Sequence, residues 1–182
     1  MCYNFSMTSE RIICTGSPKT GTHALLKAVR LFYNHIGLPE HMHLPHSHKK
    51  LNRRHVHITR NPRNTLVSWI RFNREKVTTG SLIGHVPQII KENFGYAPYL
   101  SDADLVHNVR LEELLSEPSV IEGVGKFIGL PIAENHFADI WGDTYTFTGK
   151  LSEWQDYWSD DVDAAWVAHN GPELEKALGY AV

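Results

Sequence analysis

A short apolar strand, a glycine-containing loop and an amphipathic helix, in that order, constrain the fold of this chain most strongly. Arg11–Thr15 is apolar enough to form a buried strand, which Gly16 ends. Apolar residues then recur at helical spacing and predict a helix from about Thr22 to His35. The glycines of loop 16–22 allow successive backbone N–H groups and the helix N-terminus to point at one anion. The segment therefore predicts an anion-binding loop.

The rest of the chain continues this alternation of strands and helices. Strands are predicted at His55–Thr59 and Asp104–Val109, and helices after Pro62, at 81–94, from Pro118 to Gly129 and at Pro172–Leu178. Strands that alternate with helices indicate an α/β domain with a mainly parallel central sheet between two helical layers, similar to P-loop NTPases. We expect one such domain over residues 1–182.

Composition narrows the class of protein. The 182 residues contain no apolar run of about 18, so we expect no membrane span and no membrane partner. Met1–Glu10 is polar and does not resemble a signal peptide. Two cysteines, Cys2 and Cys14, are too few for a disulfide framework, which favours a cytoplasmic location.

Charge is unevenly distributed along the chain. Residues 49–76 hold nine lysines and arginines and one acid, Glu75, whereas residues 153–163 hold five acids and no base. A basic block of this kind is either a solvated surface or a site for phosphate, sulfate or nucleic acid. Composition does not decide between these interpretations.

The position of the lysine distinguishes loop 16–22 from a nucleoside-triphosphate loop. A Walker A loop reads G-x-x-x-x-G-K-[ST]. Here Gly21 is followed by Thr22, and Lys19 lies between the two glycines. This displacement counts against an ordinary ATPase or kinase, although Lys19 and the hydroxyls of Thr20 and Thr22 still suit an anion.

Four segments resemble, in family order, the sulfotransferases that use 3′-phosphoadenosine 5′-phosphosulfate (PAPS). Ser17–Thr22 resembles their phosphosulfate loop, P-[KR]-[ST]-G-T-[TS]. Arg60–Ser68 resembles their 3′-phosphate motif, with arginine and serine eight residues apart. Val109–Pro118 is similar to the "YEDL…P" segment, and Gly149-Lys150 with Trp154 resembles the late loop that closes over the nucleotide. The resemblance spans about residues 12–158.

The resemblance implies in-line transfer of a sulfuryl group from PAPS to a hydroxyl or amine of an unidentified small-molecule or glycan acceptor, with adenosine 3′,5′-bisphosphate (PAP) as product. It implies no metal and no nucleic-acid partner. Lys19 would stabilise the leaving nucleotide. The nucleotide-binding residues that the motifs imply are Pro18, Lys19, Thr20, Gly21, Thr22, His23, Arg60, Ser68, Gly149 and Lys150.

A histidine is the candidate for the general base. His43-Leu44-Pro45 is similar to the "THLP" segment of cytosolic family members, and an ordinary histidine pKa of about 6.5 suits proton removal. His41, His46 and His48 lie nearby and invite a metal interpretation, but no accompanying cysteine or carboxylate pattern matches a zinc site. We therefore predict no metal site.

Two positions depart from the family pattern. The aromatic residue that often follows the phosphosulfate loop and packs on adenine is His23 here, and the tyrosine of "YEDL" is Leu111. Adenine packing is therefore expected to be looser or rebuilt. The alternatives to a sulfotransferase are a kinase with a divergent phosphate loop and a PAPS- or PAP-binding module without turnover.

Overall fold

A parallel sheet of four strands organises the described part of the chain, which in this computed structural model comprises residues 12–30, 40–43, 45, 52–129 and 153–180. The strands are β1 (Ile13–Gly16), β2 (Glu40–Met42), β3 (His55–Thr59) and β4 (Val106–Arg110). Their order is β2-β1-β3-β4, and every pair is parallel. After β1 the chain forms β2 on one side of β1, and it then crosses to form β3 on the other side of β1. The carboxyl ends of β1 and β3 therefore form the switch point at which ligands collect in such sheets.

Helices follow the strands at the ends that the sequence predicts. They are α1 (Thr22–Arg30), α2 (Pro62–Phe72), α3 (Thr79–Phe94), α4 (Leu111–Leu114), α5 (Pro118–Ile128), α6 (Asp160–Ala168) and α7 (Gly171–Ala177), with 3₁₀ turns at Ala97–Ser101 and Trp154–Tyr157. Asn61 caps α2, since its side chain accepts from the backbone N–H groups of Arg63 and Asn64. No described helix is long and apolar enough to cross a membrane.

The two faces of the sheet are covered differently. Alternate strand residues, including Cys14, Val56 and Ile58, pack with α1, α4 and α5 in one apolar cluster. On the opposite face the His57 ring stacks on Tyr99, with 4.5 Å between ring centroids. A separate apolar cluster joins α2, α3, α6 and α7. The sheet thus lies between helical layers, which confirms the α/β fold class.

Most predicted elements are present, and β2, α4 and α6 were not predicted. The predicted strands correspond to β1, β3 and β4, and the predicted helices at 81–94 and 118–129 correspond to α3 and α5. The predicted extension of α1 to His35 lies outside the described residues. No element was predicted between α1 and β3, but Glu40–Met42 forms a strand beside β1. Three residues, two of them polar, are too short to show a strand pattern. The α6 helix was also missed.

Candidate functional site

Two glycines shape the loop between β1 and α1. A Cβ on Gly16 would lie 2.7 Å from Thr20 Oγ1 and 2.8 Å from Ile58 Cγ2. Gly21 has φ of 99°, and a Cβ there would lie 2.6 Å from Leu111 Cδ1. A side chain at either position would displace its neighbours, and at Gly21 it would also strain the backbone. The loop is therefore a tight turn packed down on β3 and on α4.

Thr20 holds this turn closed. Its hydroxyl donates to the Ser17 carbonyl at 2.7 Å, and its backbone N–H donates to the same oxygen at 3.2 Å. The sequence predicted Thr20 as a ligand donor, but in this structure its hydroxyl proton stabilises the loop. The backbone N–H groups of the first turn of α1, which begins at the buried Thr22, have no partner within the helix. These N–H groups remain suited to an anion.

Lys19 occupies the most exposed part of the turn but is not simply solvated. Its φ of 69° lies in the left-handed region, which is uncommon for lysine. Its Nζ lies 4.0 Å from the centroid of the Phe72 ring, at the end of α2. Partial burial, and then the positive charge of Arg60, lower the pKa of Lys19. Lys19 is therefore held between the loop and α2.

Arg60 follows the end of β3 and reaches the same loop. Its Nη1 donates to the Lys19 carbonyl at 3.4 Å. Burial lowers the pKa of the Arg60 guanidinium, whereas the carboxylates of Glu112 and Glu153 raise it. The buried Nε atom of Arg60 has no hydrogen-bond partner within the described part of the chain. A buried guanidinium with an unused donor fits an anionic group, such as a phosphate.

Ser68 lies on α2, four residues before Phe72. This spacing places the two residues on one face of the helix, the face that carries Lys19 above the Phe72 ring. No hydrogen bond from Ser68 to Lys19 or Arg60 joins them within the described ranges. The helix therefore brings the predicted serine to the side of the loop but leaves its hydroxyl without an observed role.

His43 lies beside the loop, immediately after β2. Its Nδ1 is 2.7 Å from the Gly16 carbonyl oxygen. Because a carbonyl only accepts, we assign the proton of the neutral ring to Nδ1, which makes Nε2 the basic atom. The His43 side chain is exposed. The structure thus joins the predicted base to the predicted phosphosulfate loop.

The remaining predicted positions have mixed outcomes. Pro18 is half-buried in the turn and His23 is exposed on α1. Leu111, at the position of the family tyrosine, is buried against Gly21. Trp154 packs against the Arg63 guanidinium, 4.5 Å from its ring centroid, and so supports α2. The predicted nucleotide residues Gly149 and Lys150 lie outside the described residues.

Metal-ligating side chains do not converge within the described ranges. No group of three or more histidine, cysteine, aspartate or glutamate residues there has the arrangement needed to hold an ion. His46 and His48 fall outside these ranges. His57 is buried, with its Nδ1 3.0 Å from Thr15 Oγ1 and its ring on Tyr99.

Sequence reasoning missed two residues next to Arg60. Glu112 accepts from the Asn61 backbone N–H at 3.0 Å, and the Tyr180 hydroxyl donates to the other oxygen of Glu112, also at 3.0 Å. Glu112 was noticed only as part of a motif, and no spacing in the sequence relates Tyr180 to it. Their contact depends on how α7 packs.

The comparisons with known proteins support the fold. No family model matches the chain, and no curated protein matches it in sequence. Its structure is similar to that of mouse sulfotransferase SULT7A1 complexed with PAP, with a TM-score of 0.73 over 94% of this chain and 87% of that one. The two are 14% identical. At this identity the likeness establishes a sulfotransferase-like α/β fold and nothing finer.

Proposed function

We propose that this chain is a sulfotransferase that uses PAPS as its sulfuryl donor. The observation that carries the proposal is the contact between Arg60 and the Lys19 carbonyl, which brings two cations together at the switch point of the sheet. Neither cation forms an ion pair with a carboxylate of the described residues. Both are therefore available to an anionic ligand.

The arrangement of the cations suits a nucleotide with two separate anionic groups. The loop and the first turn of α1 offer backbone N–H groups and Lys19, whereas Arg60 offers a guanidinium at the end of the neighbouring strand. Phosphate groups at the 5′ and 3′ positions of one adenosine require two such places. The likeness to a PAP-complexed sulfotransferase supports this assignment.

Lys19 is suited to stabilise the leaving nucleotide. PAPS, when bound, supplies the activated sulfuryl group, and charge develops on the oxygen that remains with the nucleotide. A protonated Lys19, whose Nζ lies over the Phe72 ring, can leave that ring and bind that oxygen. The N–H groups at the start of α1 also stabilise negative charge there, because the N-terminus of a helix carries a partial positive charge.

His43 is suited to take the proton of the acceptor. With Nδ1 bonded to the Gly16 carbonyl, the ring is oriented by the strand that leads into the loop. Its Nε2 then accepts a hydroxyl or amine proton as the acceptor attacks sulfur. His43 contacts the carbonyl of Gly16, and Lys19 follows three residues later in the same loop, so the proposed base and the proposed leaving-group lysine lie at one loop.

Equilibrium binding tests the nucleotide assignment. PAP should bind without magnesium and more tightly than adenosine 5′-phosphate, by about 1.5–3 kcal/mol for each charged hydrogen bond to the 3′-phosphate. ATP with magnesium serves as the comparison for a kinase. Equal affinity for PAP and adenosine 5′-phosphate would contradict the role of Arg60. Transfer of radiolabelled sulfate from PAPS to a panel of hydroxyl and amine acceptors then separates an enzyme from a binding module.

A histidine variant tests the base. His43→Ala should lower turnover by about a hundredfold or more, because general-base catalysis contributes at least this much, and should leave PAP affinity unchanged. His46→Ala is the matched control and should retain activity. Full activity of His43→Ala, or a defect confined to nucleotide binding, would exclude His43 as the base.

A further inference from the structure

A carboxylate lies next to Arg60 without pairing with it. Glu112 Oε1 accepts from the Asn61 backbone N–H at 3.0 Å, and Glu112 Oε2 accepts from the Tyr180 hydroxyl at 3.0 Å. Each oxygen of the carboxylate therefore has its own donor. The Glu112 carboxylate is close enough to raise the pKa of Arg60, yet it forms no ion pair with the Arg60 guanidinium.

Tyr180 is held firmly in this position. The Arg110 guanidinium lies 5.0 Å from the centroid of its ring, and Arg110 Nη2 also donates to the Gly179 carbonyl. These contacts fix the segment that follows α7 over the end of β4. Burial, and then the Glu112 carboxylate, raise the pKa of the Tyr180 phenol. The hydroxyl therefore keeps its proton at neutral pH and acts as a donor.

We propose that Tyr180 is a positioning residue of the nucleotide site, which occupies one oxygen of Glu112 and so keeps that carboxylate from pairing with Arg60. The inference rests on the proposed function for the identity of the anion, a nucleotide 3′-phosphate. A carboxylate and a phosphate compete for the same fork of guanidinium donors. Without the Tyr180 hydroxyl, Glu112 turns its released oxygen towards Arg60 and competes with the ligand.

Nucleotide selectivity is the first test. Tyr180→Phe should weaken PAP binding by about tenfold, the effect of one charged hydrogen bond, and leave adenosine 5′-phosphate binding unchanged. Tyr157→Phe is the matched control, because the Tyr157 hydroxyl accepts from Arg71 at 2.8 Å and takes no part in the Glu112 contacts. A general loss of structure would weaken both nucleotides alike.

Removal of the competing charge is the second test. In the double variant Tyr180→Phe/Glu112→Gln the competitor is neutral, so the preference for PAP should return to the wild-type level. Glu112→Gln alone should bind PAP at least as tightly as the wild type, and this variant also serves if Tyr180→Phe does not fold. Weaker PAP binding by Glu112→Gln, or an unchanged preference in Tyr180→Phe, would overturn the inference.

A measurement without nucleotide separates this inference from the proposed function. The ¹⁵N–¹H signal of Arg60 Nε, identified by its loss in Arg60→Lys, should shift in Tyr180→Phe and return in the double variant. An unmoved signal would overturn the inference even if PAP binds. If the signal shifts in Tyr180→Phe but the wild type binds PAP and adenosine 5′-phosphate equally, the proposed function is overturned. The competition between Glu112 and Arg60 would then still be supported.

Discussion

Arginines from one basic stretch of sequence have carboxylate partners in one region of the molecule and none among the described residues in another. On α2, Arg63 bonds Glu175 at 2.6 Å and Asp163 at 3.5 Å, and its guanidinium is surrounded by tryptophan rings. Arg71 pairs with Glu153. At the end of β3, Arg60 is buried beside the Lys19 carbonyl without an ion pair among the described residues.

Burial alone therefore does not distinguish an arginine that pairs with a carboxylate from one that has no such partner among the described residues. The α2 arginines are neutralised by acids of the late acidic segment and of α7, so part of the basic block is an internal surface. Composition left open whether the basic block is a solvated surface or an anion site. In the structure, Arg63 and Arg71 belong to neither class, because they pair with acids inside the protein. Lys19 in the loop and Arg60 at the end of β3 pair with no carboxylate of the described residues and lie together, which suits an anion.

The largest effect that separates the two regions should come from the loop lysine. Lys19→Ala should reduce sulfuryl transfer by about 3–4 kcal/mol in activation free energy, as for loss of one positioned donor to a developing charge. Unfolding in urea should show little change, because Lys19 forms no ion pair with the residues that the structure describes. Lys27→Ala, in the middle of α1, is the control. A folded Lys19→Ala enzyme with near-normal turnover would exclude the catalytic role.

Substitutions among the ion pairs of α2 should instead lower the free energy of unfolding. Glu175→Gln leaves Arg63 without its buried carboxylate and should lower the free energy of unfolding by about 2–3 kcal/mol, less than for a fully isolated charge because Asp163 remains. The exposed Glu173 on the same helix provides the control variant Glu173→Gln. A loss of stability equal in both variants would show that the Arg63 pair is not what holds α7 to α2.

Substitution of Arg60 should instead change nucleotide affinity more than stability. Arg60→Gln removes a buried charge that has no ion pair within the described ranges, so the free energy of unfolding without nucleotide should change by less than about 1 kcal/mol or rise. PAP affinity should fall by about 1.5–3 kcal/mol. Urea unfolding and calorimetric titration measure the two quantities on one sample. A strong loss of stability would place Arg60 with the structural arginines and remove the contrast.

The pH dependence of turnover should give the smallest effect. Lys19 acts when protonated, so the rate should fall as pH rises through its pKa, and burial and Arg60 place this fall below the ordinary lysine value of 10.5. In Arg60→Gln the second cause is removed and the fall should move towards higher pH. An alkaline limb that is identical in the two proteins would show that Arg60 does not act on Lys19.

Local sequence patterns predicted the parts of this molecule that are encoded locally. The strand, loop and helix at residues 13–30, and the strand and capped helix around Arg60, follow from apolar periodicity, glycine and proline. β2 was missed because its pairing with β1 is a tertiary event over three residues. The partners of Arg63 and Glu112 were missed for a similar reason, since α7 supplies both Glu175 and the segment that carries Tyr180.

The contact between Gly21 and Leu111 has a consequence for how such a loop can evolve. A Cβ at position 21 would lie 2.6 Å from Leu111, so the height of the loop above the sheet is set by one side chain of α4. The two positions are therefore expected to change together during divergence. A bulkier residue at 111 requires a raised loop, and a smaller one leaves a hole beneath the loop. Leu111 therefore acts as a spacer, and we expect its size to be retained wherever the conformation of the loop is retained.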